Sequence, residues 1–357
     1  MKLLRKTIAR ITLPHAALGA YAQERLDSLT KPQGSLGILE ELAKNIVLIT
    51  GKKNPRIKHK AIFTLAADHG VALEGVSAFP QEVTQQMVLN FLRGGAGINV
   101  LAKHAGARVI VVDMGILKTV GGNAGKKKNF KEVRIAAGTR NFTQQPAMSR
   151  AQATEAIEAG ITLFNQEKKN GLDIAGTGEM GIANTTASSA ITACILRKHP
   201  KEVTGRGTGV DEAGLERKIT AIKKALSLHT PDPRDPLDVL AKVGGFEIAG
   251  LTGVILAAAA SKTPVMIDGF ISSAAALIAY SLEPKSRHYM LAAHASVEKG
   301  QRFILRHLGL TPLLDLKMRL GEGTGAALGI TIVEAALRIF NEMATFKKAG
   351  VSERSVE

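Results

Sequence analysis

The sequence predicts an α/β protein: a parallel β-sheet flanked by helices on both faces, a Rossmann-like three-layer arrangement, with a smaller helical lobe built from the N- and C-terminal segments. Three observations predict it. Short apolar runs of strand length recur along the chain, largely without alternation, as strands buried on both faces require. Stretches with apolar residues at helical spacing lie between them. The composition, 45% apolar with only 4% aromatic and 36 glycines in 357 residues, gives a core of small aliphatic side chains that suits close helix-on-sheet packing.

In chain order, MKLLRKTIARITLPHAALGAYAQERL reads as an amphipathic helix, and GKKNPRIKHK (51–60) as a surface link. AIFTLAA is the first strand and ends in Asp68-His69-Gly70. QEVTQQMVLNFLRGGAGINVLAKHA has helical spacing, and RVIVVDMG is the second strand. GGNAGKKKNFKEVR, with the triple lysine 126–128, reads as a solvated loop. SRAQATEAIEAGITLFNQEKK is a helix, LDIAG a strand, and DEAGLERKITAIKKALSL and GFEIAGLTGVILAAAASK are helices separated by the turn TPDPRDPL with its three prolines. PVMID and HYMLAAH are the last strands, a long helix opens after RLGEGTG, and the tail frays. This gives an expected division into an N-terminal helical segment (1–55), an α/β catalytic domain (56–330) and a C-terminal helix and tail (331–357). No internal repeat is evident.

Several function classes are disfavoured. The lone Cys194 excludes an intrachain disulfide and reads as inert core, which fits a reducing compartment. Lys plus Arg is 47 against 31 acids, a net +16, but the basic residues are dispersed, so anionic small molecules explain them better than nucleic acid. The N-terminus lacks an uninterrupted apolar core, and no stretch reads as long and apolar enough to span a membrane. The expectation is a cytoplasmic protein. The nine histidines show no HxH, HExxH or CxxC spacing, so no metal site is expected. No Walker A loop and no Gly-x-Ser-x-Gly elbow occur.

In an open parallel sheet, ligands gather at the carboxyl ends of the strands. The polar clusters at 68–70, 113–116, 176–181, 268–270 and 294–296 fall there. LDIAGTGEMGIANTT spells G-x-G-x-x-G at 176, 178 and 181, yet no second strand closes on the acid that a dinucleotide site needs about 20 residues on. Two readings remain for that segment: a phosphate cradle at a helix start, with Asn184, Thr185 and Thr186 adding donors, or glycine serving turn geometry alone. GRGTGVDEAG, with Arg206 before a helix and Lys218 inside it, and RLGEGTGAALG resemble it. Glu179 and Glu322 each stand in such a segment near a helix start. An acid there stabilises the helix dipole; partly removed from water, it can also serve as a general base.

Taken together, TKPQGSLGILEELA (30–43), ADHGVALEGVSAFPQEVTQQM (67–87), GTRNF (138–142), GTGEMGIANTTASSA (176–190), GRGTGVD (205–211), GGFEIAGLTG (244–253), IDGFISSAAAL (267–277) and MRLGEGTGAALG (318–329) closely resemble, in order and over nearly the whole chain, the nicotinate-nucleotide:5,6-dimethylbenzimidazole phosphoribosyltransferase family. The resemblance implies transfer of phosphoribose from nicotinate mononucleotide to dimethylbenzimidazole, giving α-ribazole 5′-phosphate for the lower ligand of cobalamin. It implies a homodimer and no metal or redox cofactor. It also implies that Glu322 is the general base and Glu179 a second acid at the reaction centre. Gly181, Lys218 and Ser296 match positions near the nucleotide phosphate; Ala78, Phe79, Gln86, Met180 and Leu320 match the benzimidazole pocket. Where relatives can carry Ser and Tyr, this chain has Ala78 and Phe79, which removes two hydroxyls and leaves apolar contact and stacking. That change keeps open a related enzyme using another azole or a phenolic base. A non-catalytic nucleotide-binding protein is the other alternative.

Overall fold

A computed structural model describes residues 1–352, without the side chains of 123 and 124. Its centre is a six-stranded, wholly parallel sheet: β1 Lys60–Ala67, β2 Arg108–Gly115, β3 Phe130–Glu132, β4 Ile174–Met180, β5 Val265–Ile267 and β6 Met290–Ala292, in the order β3-β2-β1-β4-β5-β6. The chain runs outward from β1 to β3 and then crosses to the other side of β1. The switch point, where such sheets open a crevice, therefore lies between β1 and β4.

Strand residues alternate between two cores. Phe63 and Leu65 of β1 face a layer that includes the helices Arg150–Lys169, Phe246–Ala260 and Phe270–Leu282; Ile62 and Ala66 face the helices Ile38–Thr50, Val83–Arg93, Gly97–His104 and Thr324–Glu342. Both faces are thus apolar, which is why the strands read as unalternating runs. Helix Phe246–Ala260 is buried along its whole length between the sheet and Arg150–Lys169.

The N- and C-terminal segments meet. Leu29 pairs with Thr345, and Arg25 donates to the carbonyl oxygens of Phe340 (2.9 Å) and Met343 (2.8 Å). The first helix, Lys2–Ile8, stands apart from that cluster, on Arg150–Lys169 and Phe246–Ala260. The boundary expected at 330 falls inside Thr324–Glu342, whose first half packs on the sheet and whose second half packs on Ile38–Thr50 and its neighbours. Part of the expected tail, residues 353–357, lies outside the described residues.

Four sequence readings need correction. The loop around Lys126–Lys128 contains β3, a three-residue edge strand on β2 with only Phe130 buried. The stretch from Gln81 to Ala105 is two helices, broken at Gly94 (φ +89°). The N-terminal stretch is likewise two helices, Lys2–Ile8 and Gly19–Asp27, with Pro14 between them. Thr324–Glu342, at 19 residues, is by length and composition apolar enough to cross a membrane, contrary to the sequence reading; 56% of its most apolar stretch is buried inside the fold.

Candidate active site

The G-x-G-x-x-G segment is not a turn at its first two glycines. β4 continues through Met180, and Gly176 and Gly178 are strand residues. Gly178 is required by a close approach: a Cβ there would run into the backbone carbonyl of Glu322. The absent side chain lets the loop 321–323 lie flat on the end of β4. That loop turns through three successive left-handed residues, Gly321 (φ +79°), Glu322 (φ +64°) and Gly323 (φ +96°). For a non-glycine residue this conformation costs about 1–3 kcal/mol and persists only where neighbours enforce it. Here Thr64 of β1 donates its hydroxyl to the Glu322 carbonyl (3.0 Å), and Asp268, just past β5, accepts from the N–H groups of Gly323 (3.2 Å) and Ala326 (2.9 Å). Three central strands thus fix the backbone of one glutamate.

The Glu322 side chain is buried. Its Oε2 accepts from the backbone N–H of Ile98 (3.0 Å), in the first turn of Gly97–His104. Burial raises its pKa above the usual carboxylate value, the Ile98 hydrogen bond opposes this, and the nearby Asp268 adds to it. Glu179, at the end of β4, is buried too. Its Oε2 accepts a hydrogen bond from the Asn184 side-chain amide. Burial, with smaller contributions from Asp268, Glu247 and Glu322, pushes Glu179 up to about 8 against the Asn184 bond. Two acids facing one cleft are therefore both held more basic than in water, the condition for proton transfer near neutral pH.

The cleft has a volume of about 370 Å³, in the range of small-ligand sites. Phe79, Met180, Gly181, Ser296, Leu320, Glu179 and Glu322, all expected from the sequence, line it. Phe79 and Leu320 are more than half exposed and form an apolar lip. Lys218 is buried just behind the wall, donating to Thr185 Oγ1 (2.9 Å), and a Cβ on Gly207 would touch its Nζ. Burial lowers its pKa to about 8, with Glu298 pulling the other way. Ala78 is not a lining residue; its N–H donates to Thr208 Oγ1 (3.1 Å), which ties its loop to the 207–208 wall. Gln86 is exposed and does not line the cleft, although Val83 and Met87 of the same helix do.

Sequence reasoning did not single out Glu298, Arg319 or Thr208 as lining residues, and reached Phe270 only as the end of the 268–270 cluster. Glu298 accepts from the Gly207 N–H (2.9 Å), and Arg319 donates to the Gly207 carbonyl (3.2 Å). Arg319 stands in a quoted motif and was within reach; nothing in the local pattern marked Glu298. A larger groove of about 980 Å³ lies between Lys2–Ile8, Arg150–Lys169 and β3, at the outer edge of the sheet and away from this convergence.

The sequence model of a family described as "Phosphoribosyltransferase" matches residues 11–351. The chain belongs to this family. A relative from Roseiflexus sp. (strain RS-1), named nicotinate-nucleotide–dimethylbenzimidazole phosphoribosyltransferase, is 58% identical over 352 residues, 99% of each chain. A relative of the same name from Chloroflexus aurantiacus is 56% identical over 354 residues, covering 99% of this chain and 100% of the other. Among solved structures, the protein of that name from Thermus thermophilus superposes with a TM-score of 0.89 at 42% identity, covering 95% of this chain and 99% of that one. Membership in the phosphoribosyltransferase family fits the division of the cleft, with an acid-lined half beside the apolar lip and a half built from the Gly181–Thr185 turn, Gly207 and Lys218.

Proposed function

We propose that this phosphoribosyltransferase moves the phosphoribosyl group of nicotinate mononucleotide to 5,6-dimethylbenzimidazole, releasing nicotinate and a proton and forming α-ribazole 5′-phosphate. The observation that carries the reading is Glu322: a buried carboxylate, raised in pKa, fixed by strained backbone and one amide, lining a cleft behind an apolar lip. In nicotinate mononucleotide the base nitrogen is cationic, so nicotinate is a ready leaving group. As the benzimidazole lone pair attacks C1′ from the opposite face, the C1′–nicotinate bond breaks, the incoming ring becomes cationic, and its N–H turns acidic. A carboxylate bonded to that N–H stabilises the growing charge and takes the proton. Attack from the face opposite the departing base converts a β- into an α-linkage. Lys218, Thr185 and the N-terminus of Asn184–Ile195 supply donors and positive potential for the phosphate. Met180, Phe79 and Leu320 hold the aromatic acceptor. Placing two flat rings on either side of one ribose supplies rate through orientation.

Incubation of the purified protein with both substrates, with products read by mass and retention time, tests the reading. α-Ribazole phosphate and nicotinate in equal amounts are expected; no product, or hydrolysis alone, overturns it. At the lip, Phe79 carries no hydroxyl toward the acceptor, which favours a second reading in which another azole or a phenolic base is preferred; competition between candidate bases in one assay decides. We further take the enzyme to act as a homodimer in the cytoplasm, with no nucleic-acid or membrane partner. Light scattering of the purified protein checks the dimer.

A further inference from the structure

Two ordered motifs, ADHGV and GGFEIAG, contribute residues that do not line the cleft but meet beneath it. His69 Nε2 lies 2.8 Å from Glu247 Oε1, and both side chains are wholly buried. His69 follows β1; Glu247 is in the first turn of Phe246–Ala260. The imidazole is wedged between two backbone segments. A Cβ on Gly181 would meet the Ala67 carbonyl first and then the ring at 3.3 Å, and one on Gly245 would press on its Cε1 and sit 2.7 Å from Glu247 Oε2. One residue on, the Ile182 N–H donates to Thr84 Oγ1 (3.1 Å), and Thr84 also interacts with the carboxyl of Asp68. Successive residues of the turn that opens Asn184–Ile195 are therefore backed by the successive residues Asp68 and His69.

The pair is a poor stabilising device. His69 Nδ1 and Glu247 Oε2 are buried without partners, and replacing both members of a buried polar pair by apolar groups of similar shape can be nearly neutral. Stability alone does not explain it.

We propose that His69, locked by Glu247, is a positioning residue for the phosphate half of the cleft. By backing Gly181 it sets the direction of the donors from Gly181 to Thr185 that meet the nucleotide phosphate; its carbonyl accepts from Gln81 Nε2 (2.9 Å) near the lip, while its side chain is bonded to Glu247. The inference rests on the phosphoribosyl-transfer reading above.

The test uses the full chain with both partners replaced, His69→Leu/Glu247→Leu, and separately the milder Glu247→Gln. The double variant should keep its melting temperature close to that of wild type. Its KM for nicotinate mononucleotide should rise at least tenfold, with KM for dimethylbenzimidazole within twofold, and calorimetric Kd for nicotinate mononucleotide should weaken in parallel. If the double variant fails to fold, Glu247→Gln decides by the same split at smaller amplitude. Equal rises in both KM values, or an unchanged nicotinate mononucleotide Kd, overturn the inference. Absence of turnover in the wild-type enzyme instead overturns the functional reading itself, and with it the role assigned to His69.

Discussion

Glu322→Gln is the sharpest perturbation the site offers, because the structure fixes how the amide must sit. Glu322 Oε2 accepts from the Ile98 N–H at 3.0 Å. Glutamine keeps that bond only by turning its carbonyl oxygen toward Ile98, which leaves its NH₂ facing the acceptor ring. A donor then confronts a donor where the mechanism needs a base. General-base loss costs about 10²–10⁴ in rate, or about 2.7–5.4 kcal/mol of barrier at 1.36 kcal/mol per tenfold. The fold should barely notice. The retained neutral hydrogen bond is worth about 0.5–1.5 kcal/mol, and removing a buried charge offsets any strain. Steady-state kinetics should therefore show kcat reduced by two to four orders of magnitude, KM for nicotinate mononucleotide little changed, and an unaltered melting temperature. The acid limb of the wild-type pH profile, where a carboxylate with a raised pKa becomes protonated, should vanish from the residual activity. Turnover within threefold of wild type, or an acid limb that persists unchanged, would refute the assignment of the base.

Other outcomes follow from the same geometry. Gly178→Ala places a methyl group against the Glu322 carbonyl; kcat should fall about 10²-fold through displacement of the base, while circular dichroism stays native. Lys218→Met should weaken nicotinate mononucleotide binding at least tenfold by calorimetry. Because the folded pKa of Lys218 is lowered to about 8 from 10.5, the unliganded variant should be no less stable than wild type at pH 7; the folded state binds fewer protons than the unfolded one between those values, so the burden of Lys218 is relieved as pH rises. For Glu179 the sign is opposite. Its folded pKa of about 8 lies above 4.5, so its contribution is intact below pH 4.5 and lost as pH climbs through 8. Glu179→Gln should match wild type in urea melts at pH 5 and exceed it at pH 9; equal stability at both would contradict the buried, proton-retaining environment.

The sheet was legible in the sequence where strands are buried on both faces. β1 and β2 appear as long, largely apolar runs, and β5 and β6 as shorter ones; of β4 only the first half, up to Gly176, was legible, because Thr177, Gly178 and Glu179 interrupt the apolar pattern. β3 was not, because an edge strand of three residues with one buried side chain leaves almost no apolar signature amid lysines. Helix breaks at Gly94 and Pro14 were hidden by apolar spacing that continues in phase across them. At the site, Glu179, Glu322, Phe79 and Leu320 were found through motifs. The physical reason for glycine at 178 was not, since it depends on a loop nearly 150 residues away in sequence. Glu298 escaped for the same reason: its partner is the Gly207 amide, and no local pattern encodes that meeting.

Glu322 is moored to the central strands, whereas Phe79 and Leu320 stand on the rim, half in solvent. Mutations at the rim can thus accumulate without dislodging the proposed base. A lineage built this way can trade one incoming heterocycle for another by a few changes at its edge, and a protein engineer seeking a different nucleotide product should begin there and leave the loop behind it alone.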